Sequence, residues 1–244
     1  MRKEYEEKYH EIEETNWWFV ARRDIIVKML RNESKELKVL DIGCSSGLLI
    51  RDLNKTGFPN VRGIDISKDA VNLSKSIKIN SVTHSDAQKT KFRNQEFDII
   101  IASDILEHLD DDKKALKEWC RILKKDGTLI VFTPAFKFLW SSHDAANQHK
   151  TRYTLSGLNK LLQEAGFKVI SSSYWNFLLF FPAAIIRIPQ KIFHLNNQSK
   201  DQAYRLNRII NSLLKMLLKV ENSLILLGIR FPFGVSVFSL ARKI

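Results

Sequence analysis

From residue 38 to residue 170 the chain alternates short, Val/Ile-rich runs with segments long enough to be helices, and few folds accept that pattern. The runs occupy residues 39–42, 61–65, 97–102, 128–132 and 167–170. Each is four to six residues long and almost continuously apolar, as strands buried on both faces should be. The intervening segments carry helix punctuation. LLIRDLNKT follows Gly47 and is stopped by Gly57. Ser67 can cap a helix through Ile77, with Asp69 in its first turn. Residues 110–125 place Leu116, Trp119, Cys120 and Leu123 on one face, open with acids and close with Lys124, Lys125 and Gly127. Thr154 can cap a helix that turns Leu158, Leu161 and Leu162 inward and stops at Gly166. Strand alternating with helix demands right-handed crossovers and a mostly parallel sheet. The expected fold class is α/β: a doubly wound, Rossmann-like sheet with N-terminal helices and a helical, apolar C-terminal extension.

Three units follow from this texture. Residues 1–37 form an N-terminal helical cap around Ile12, Trp17, Trp18, Phe19, Ile25 and Ile26. Residues 38–173 form the core, and residues 174–244 an amphipathic extension. The two cysteines, Cys44 and Cys120, make neither a disulfide framework nor a C-x-x-C zinc pair. A reducing, cytoplasmic setting is the expectation, and the acidic N-terminus does not read as a signal peptide. The net charge is +12, and residues 171–244 hold ten Lys/Arg against only Asp201 and Glu221. A basic, apolar third points to an anionic lipid surface at least as readily as to nucleic acid. Residues 204–227 read as a helix with Arg205, Arg208, Asn211, Ser212, Lys215, Lys219 and Asn222 along one stripe. Leu206, Ile209, Ile210, Leu213, Leu217, Val220 and Leu224 lie opposite. Phe231, Phe233 and Phe238 add apolar surface. The uninterrupted apolar run at 177–186 is ten residues, short of the roughly 20 that span a bilayer. Two readings stay open: this third lies on the inner face of a membrane as a peripheral element, or it packs on the core or a partner.

Asp41-Ile42-Gly43-Cys44-Ser45-Ser46-Gly47 sits where the first strand meets the first core helix. Small residues there let a ligand approach the backbone, and the helix N-terminus attracts negative charge. A dinucleotide fingerprint would need glycine at 43, 45 and 48, but the chain has Gly43, Ser45 and Leu48, which disfavours a nicotinamide oxidoreductase. The Gly-Lys-Ser/Thr of a phosphate-cradling loop is also missing. Asp65 ends the second strand, where a carboxylate can accept from a ribose diol. Asp86 follows a short third strand near Val82 and Thr83 and could accept from an exocyclic amine. Carboxylates at successive strand ends face the edge where open α/β sheets bind ligands.

The ordered series VLDIGCSSG, GIDIS, SDA, FDIIIASDILEHLDD and LKKDGTLIVFTP resembles the class I S-adenosylmethionine-dependent methyltransferases, within the broad group whose fourth strand runs into an L-E-H-L segment. The resemblance covers residues 38–170 and implies S-adenosylmethionine as cofactor. It implies Asp41, Gly43, Cys44, Ser45 and Gly47 around the methionyl part and Asp65 with Ile66 at the ribose. It places Asp86 and Ala87 at the adenine and Ser103 near the sulfonium. Ser45 stands where the family usually has glycine. The N-terminal WWFVARR resembles the same subset, with Trp18 closing over the bound molecules and Arg22 pairing with the cofactor carboxylate.

The acceptor side is read from HDAANQHKTRY, which resembles an H-D-x-x-x-x-H-x-x-R-Y pattern in methyltransferases of envelope glycan or lipid pathways. His143 beside Asp144, His149 and His108 are candidate general bases near neutral pH, and Arg152 and Tyr153 are candidate substrate contacts. A metal set of His143, Asp144 and His149 lacks a fourth ligand, so no metal is expected. Equally open is a purely structural role for this loop. The expected activity is methyl transfer to a small or lipid-linked acceptor, glycan included, at oxygen. The alternatives are a nucleic-acid methyltransferase, against which stands Ser103-Asp104-Ile105-Leu106 in place of an Asp/Asn-Pro-Pro-Tyr/Phe loop, and a membrane-associated binding protein of the same fold without turnover. Neither the acceptor nor the oligomeric state is encoded in a recognisable motif.

Overall fold

A computed structural model describes residues 3–192 and 206–244. Two helices lead, α1 (Lys3–Glu13) and α2 (Trp17–Met29). The core follows as β1 (Val39–Ile42), α3 (Leu48–Lys55), β2 (Val61–Asp65), α4 (Lys68–Ser76), β3 (Val82–His84) and β4 (Phe97–Ser103). Then come α5 (Asp112–Ile122), β5 (Leu123–Pro134), α6 (Ser142–Ala146), α7 (Leu155–Glu164) and β6 (Phe167–Trp175). The chain ends with α8 (Phe180–Ile192), α9 (Arg208–Leu226) and β7 (Ser236–Lys243).

The seven strands lie in the order β3-β2-β1-β4-β5-β7-β6, parallel except for β7, which runs antiparallel to both neighbours. The expected Rossmann-like α/β fold is therefore the fold observed. Apolar side chains fill both faces of the sheet. One core gathers Leu116, Trp119, Leu158 and Leu162 from α5 and α7; the other gathers Ile25, Ile50, Val71, Leu218 and Ile225 from α2, α3, α4 and α9. The predicted caps hold: Ser67 Oγ accepts from Ala70 N–H and Thr154 Oγ1 from Gly157 N–H, each at 3.1 Å.

Three expectations change. The helix foreseen through Lys125 stops at Ile122, and Lys124 is already in β5, where its Nζ pairs with Asp98 Oδ1 at 2.7 Å. An ion pair across strands β4 and β5 replaces a helix C-terminus. Second, Phe238 is not surface: it is 1% exposed in β7, stacked on Phe132, because this last strand fills the gap between β5 and β6. Third, α9 buries neither stripe as such: its inward face, Leu218, Glu221, Asn222 and Ile225, lies between them. Asn222 is fully buried, donating to the Ala21 carbonyl at 2.8 Å and accepting from Trp175 Nε1 at 2.8 Å, while Ile209 is 78% exposed and Leu213 and Val220 also face out. Specific hydrogen bonds to α2 and β6 outweigh the generic preference for burying the leucines. Arg205 lies outside the described residues. No helix among the described residues is long and apolar enough to cross a membrane.

Candidate active site

Strand order reverses direction at β1 and β4, and the crevice at their carboxyl ends is where such sheets bind ligands. A cavity of about 1180 Å³ opens there. It exceeds the roughly 300–1,000 Å³ of a single small-molecule site, leaving room for two ligands side by side.

The β1–α3 loop makes one wall. Gly43 has φ +72°, and a Cβ there would sit 3.0 Å from Ile105, so only glycine fits without strain. Ser45 N–H donates to Asp65 Oδ2 at 2.9 Å and Ser67 N–H to Oδ1 at 2.8 Å. Asp65 thus ties the loop to the start of α4 and still has a free lone pair on each oxygen. Burial raises its pKa, and the two N–H bonds oppose that rise. Ile66, largely exposed, lies beside it; Asp86, Ala87 and Ser103 also line the cavity. Asp86 Oδ1 is anchored by Gln88 N–H at 2.8 Å.

Four of the residues assigned to the cofactor lie behind this wall and are not part of the lining. Asp41 is buried below the loop, its carboxyl pushed well up by burial and then by Asp65 and Glu13. Cys44 packs against Gly63, and Gly47 is the left-handed N-cap of α3. Arg22 is buried, clamped over Phe132 and Trp175 at 4.4 Å each, with its guanidinium donating to Asp104 and, at 2.9 Å, to Ser103 Oγ. Its carboxylate partner in the structure is Asp104. Trp18 does line the cavity, edge-on to Trp175 at 4.9 Å.

Sequence reasoning passed over α1 as a contributor. Glu13 Oε2 accepts from Ser45 Oγ at 3.1 Å and Ser46 Oγ at 2.8 Å, and His10 lies 3.3 Å from Ser45. The first helix therefore closes over the loop. The serine at 45, where glycine is usual, is what gives Glu13 one of those two donors. Nothing in the local sequence of α1 signals this contact.

The acceptor-side residues pair differently from their sequence adjacency. Asp144 does not bond its neighbour His143; its Oδ1 accepts from His149 Nδ1 at 2.8 Å, and Arg152 grips both oxygens at 2.7 and 3.0 Å. Despite its burial, those bonds hold the Asp144 carboxyl far below the usual range. Neighbours in a helix point about 100° apart, so residues 143 and 144 of α6 do not share a face, whereas the loop after it returns His149 to Asp144. His108, His143, His149 and Arg152 line the cavity; Asp144 and Tyr153 do not. Burial lowers the His143 pKa to about 3, and it lowers that of His108 to about 3 with His149 adding to the effect. Both rings stay neutral at ordinary pH. Tyr153 donates to Asp112 Oδ2 at 3.1 Å, away from the cavity. Glu107, buried and facing the same space, was read in the sequence only as part of a helix start.

A methyltransferase domain family model matches residues 16–172, well over half of the chain. A ubiquinone biosynthesis O-methyltransferase of Pelagibacter ubique is 32% identical over 118 residues, 46% of this chain and 48% of that protein. A ubiquinone/menaquinone biosynthesis C-methyltransferase of Campylobacter jejuni is 32% identical over 104 residues, 40% of this chain and 44% of that protein. The matched segments thus span about half the length of these curated relatives. In structure, an S-adenosylmethionine-dependent methyltransferase from Mesorhizobium loti superposes with TM-score 0.58 at 15% identity, covering 89% of this chain and 96% of that one. The reversed last strand, the glycine loop over Asp65 and the family match converge: this chain belongs to the methyltransferase-domain family and has the class I methyltransferase fold.

Proposed function

We propose that the enzyme methylates a hydroxyl of a lipophilic, membrane-resident acceptor, a ring compound of quinol type or a lipid-linked molecule. One observation carries this reading. Helix α8 lines the cavity with Pro182, Ala183 and Ile186, joined by Leu179 from the turn before it, and the same helix turns Phe181 and Ile185 to solvent. An apolar wall continuous with an apolar exterior suits an acceptor that enters from a lipid phase. The outward leucines and isoleucines of α9, interspersed with Lys215 and Lys219, form a second apolar, basic surface that suits anionic headgroups. The relatives named for ubiquinone biosynthesis, one acting on oxygen and one on carbon, lend support to a quinol-like ring and leave the atom to chemistry.

The cofactor site then divides in three. Asp65 and Ile66 hold the ribose, Asp86 and Ala87 the adenine, and the loop from Gly43 to Ser45 the methionyl chain. Ser103, at the end of β4, sits at the reacting end. Transfer is an in-line displacement in which positive charge on sulfur disperses, so alignment and exclusion of water supply most of the rate. For an oxygen nucleophile one proton must leave. His149, oriented by Asp144 and facing the cavity, is the residue placed to assist it.

The test is to incubate the enzyme with methyl-labelled cofactor and a detergent-solubilised membrane extract, then partition the products. Label in the organic phase, released as a methyl ether by mass spectrometry, is the expected result. Label confined to aqueous metabolites or nucleic acid refutes the lipophilic acceptor.

A further inference from the structure

Glu107 is fully buried, and neither of its carboxylate oxygens has a hydrogen-bond partner among the described residues. A carboxyl in such a place keeps its proton unless a cation pairs with it. Two imidazoles stand next to it. One ligand atom each from Glu107, His108 and His149 lie within 4.8 Å of one another, with His149 Nε2 4.0 Å from Glu107 Oε1. All three residues line the cavity.

The histidines are also preset for coordination. Asp144, held by Arg152, accepts from His149 Nδ1, which leaves Nε2 as the ring nitrogen facing Glu107 and the one available to a ligand. A carboxylate behind a histidine is the usual outer support of a metal-bound imidazole. The His108 ring is in turn bonded to the main-chain carbonyl of Asn147, which fixes its orientation. The trio that adjacency suggests, His143, Asp144 and His149, is not this set, because both Asp144 oxygens are already taken by Arg152 and His149.

We propose that Glu107, His108 and His149 bind one divalent transition-metal ion, zinc being the probe of choice, with its remaining coordination positions open to the cavity. Two imidazoles and a carboxylate with a vacant position are the donor set of catalytic rather than structural ions. Bond lengths of about 2.0–2.2 Å put tetrahedral ligand atoms roughly 3.4 Å apart. Small side-chain rotations close the present spacing to that value, and the ion supplies the charge that Glu107 lacks.

The role of the ion rests on the oxygen-methylation reading above. With the ion bound, His149 Nε2 is a ligand and no longer the base: an acceptor hydroxyl takes the open position, is acidified there and loses its proton to solvent. The oxygen lone pair then forms the new bond to the methyl carbon as the carbon–sulfur bond breaks. The electron pair stays on sulfur, which leaves as a neutral thioether.

The experiment uses the tag-free full chain, stripped with chelator and titrated with zinc alone by calorimetry and with cobalt(II) by absorption. Wild type should bind one equivalent of zinc, and the cobalt spectrum should show d–d bands without a thiolate charge-transfer band. Glu107→Gln and His149→Ala should each weaken zinc binding on the order of 100-fold while keeping the cofactor affinity that reports a folded site. Absence of zinc binding, a thiolate band from Cys44 or Cys120, or unchanged affinity in both variants overturns the proposal. Full methyl transfer with no bound metal overturns it while sparing the acceptor reading. Stoichiometric zinc without transfer to any hydroxyl acceptor does the reverse.

Discussion

Replacing Asp65 by Asn tests the cofactor site at the point where its geometry is most explicit. The two carboxylate oxygens accept from Ser45 N–H and Ser67 N–H at 2.9 and 2.8 Å and keep one lone pair each for the ribose hydroxyls. An amide offers a single acceptor oxygen, and its NH2 must face one of those two N–H groups, donor against donor. Asp65→Asn therefore loses one charge-assisted bond to the sugar, about 1.5–3 kcal/mol, or a 10- to 100-fold weaker Kd. Because the sugar is common to substrate and product, S-adenosylmethionine and S-adenosylhomocysteine should lose affinity equally by calorimetry. The pH dependence carries a sign. Burial raises the Asp65 pKa above the ordinary carboxylate range, with the bonds from Ser67 and Ser45 only partly opposing it. The ionised form is the better double acceptor. Affinity should therefore be full above that raised pKa and fall as the pH drops through it, and the Asn variant should be flat over the same window. A Kd within threefold of wild type in a variant with an unchanged melting midpoint refutes the assignment, as does a loss confined to one of the two ligands.

Three further outcomes are expected. Glu221→Ala removes the acceptor for the Asn176 and Phe177 N–H groups at the β6–α8 turn; stranding these donors costs about 3 kcal/mol and should lower Tm by roughly 6–12 °C, and a fall under 2 °C would show the turn to be held otherwise. Gly63→Ala puts a Cβ 2.5 Å from Cys44 Sγ and 2.7 Å from Ile50 Cδ1, an overpacking cost of about 1–3 kcal/mol. Adding Cys44→Ala should recover part of that loss in a double-mutant cycle followed by thermal melting. On the outward face of α9, Ile209→Glu with Leu213→Glu should abolish flotation with anionic vesicles while leaving cofactor Kd unaltered; undiminished flotation would remove this helix from the membrane-facing surface.

Much of the cofactor half could be read from the chain because its chemistry is local. Asp65 closes β2 and Asp86 lies two residues past β3, so strand recognition places them at the same edge, and Gly43 announces a turn that side chains cannot follow. The acceptor half resisted because its partners are set by loop geometry. Adjacency paired His143 with Asp144, yet the return of the loop after α6 gave Asp144 to His149 and Arg152. Glu107 looked like a helix start, and only the tertiary structure shows that it lines the cavity with no hydrogen-bond partner for its carboxyl among the described residues.

Periodicity alone determined the parallel sheet, the helices that cover it and their Ser67 and Thr154 caps, since each depends on residues within a few positions of one another. Tertiary structure decided the insertion of β7 between β5 and β6, the inward turn of Asn222 on α9, the closure of Glu13 over Ser45 and Ser46, and the capture of Arg22 by Asp104. These contacts join residues 32 to 201 positions apart. Their energy comes from satisfying particular buried polar groups, which a hydrophobic pattern does not record.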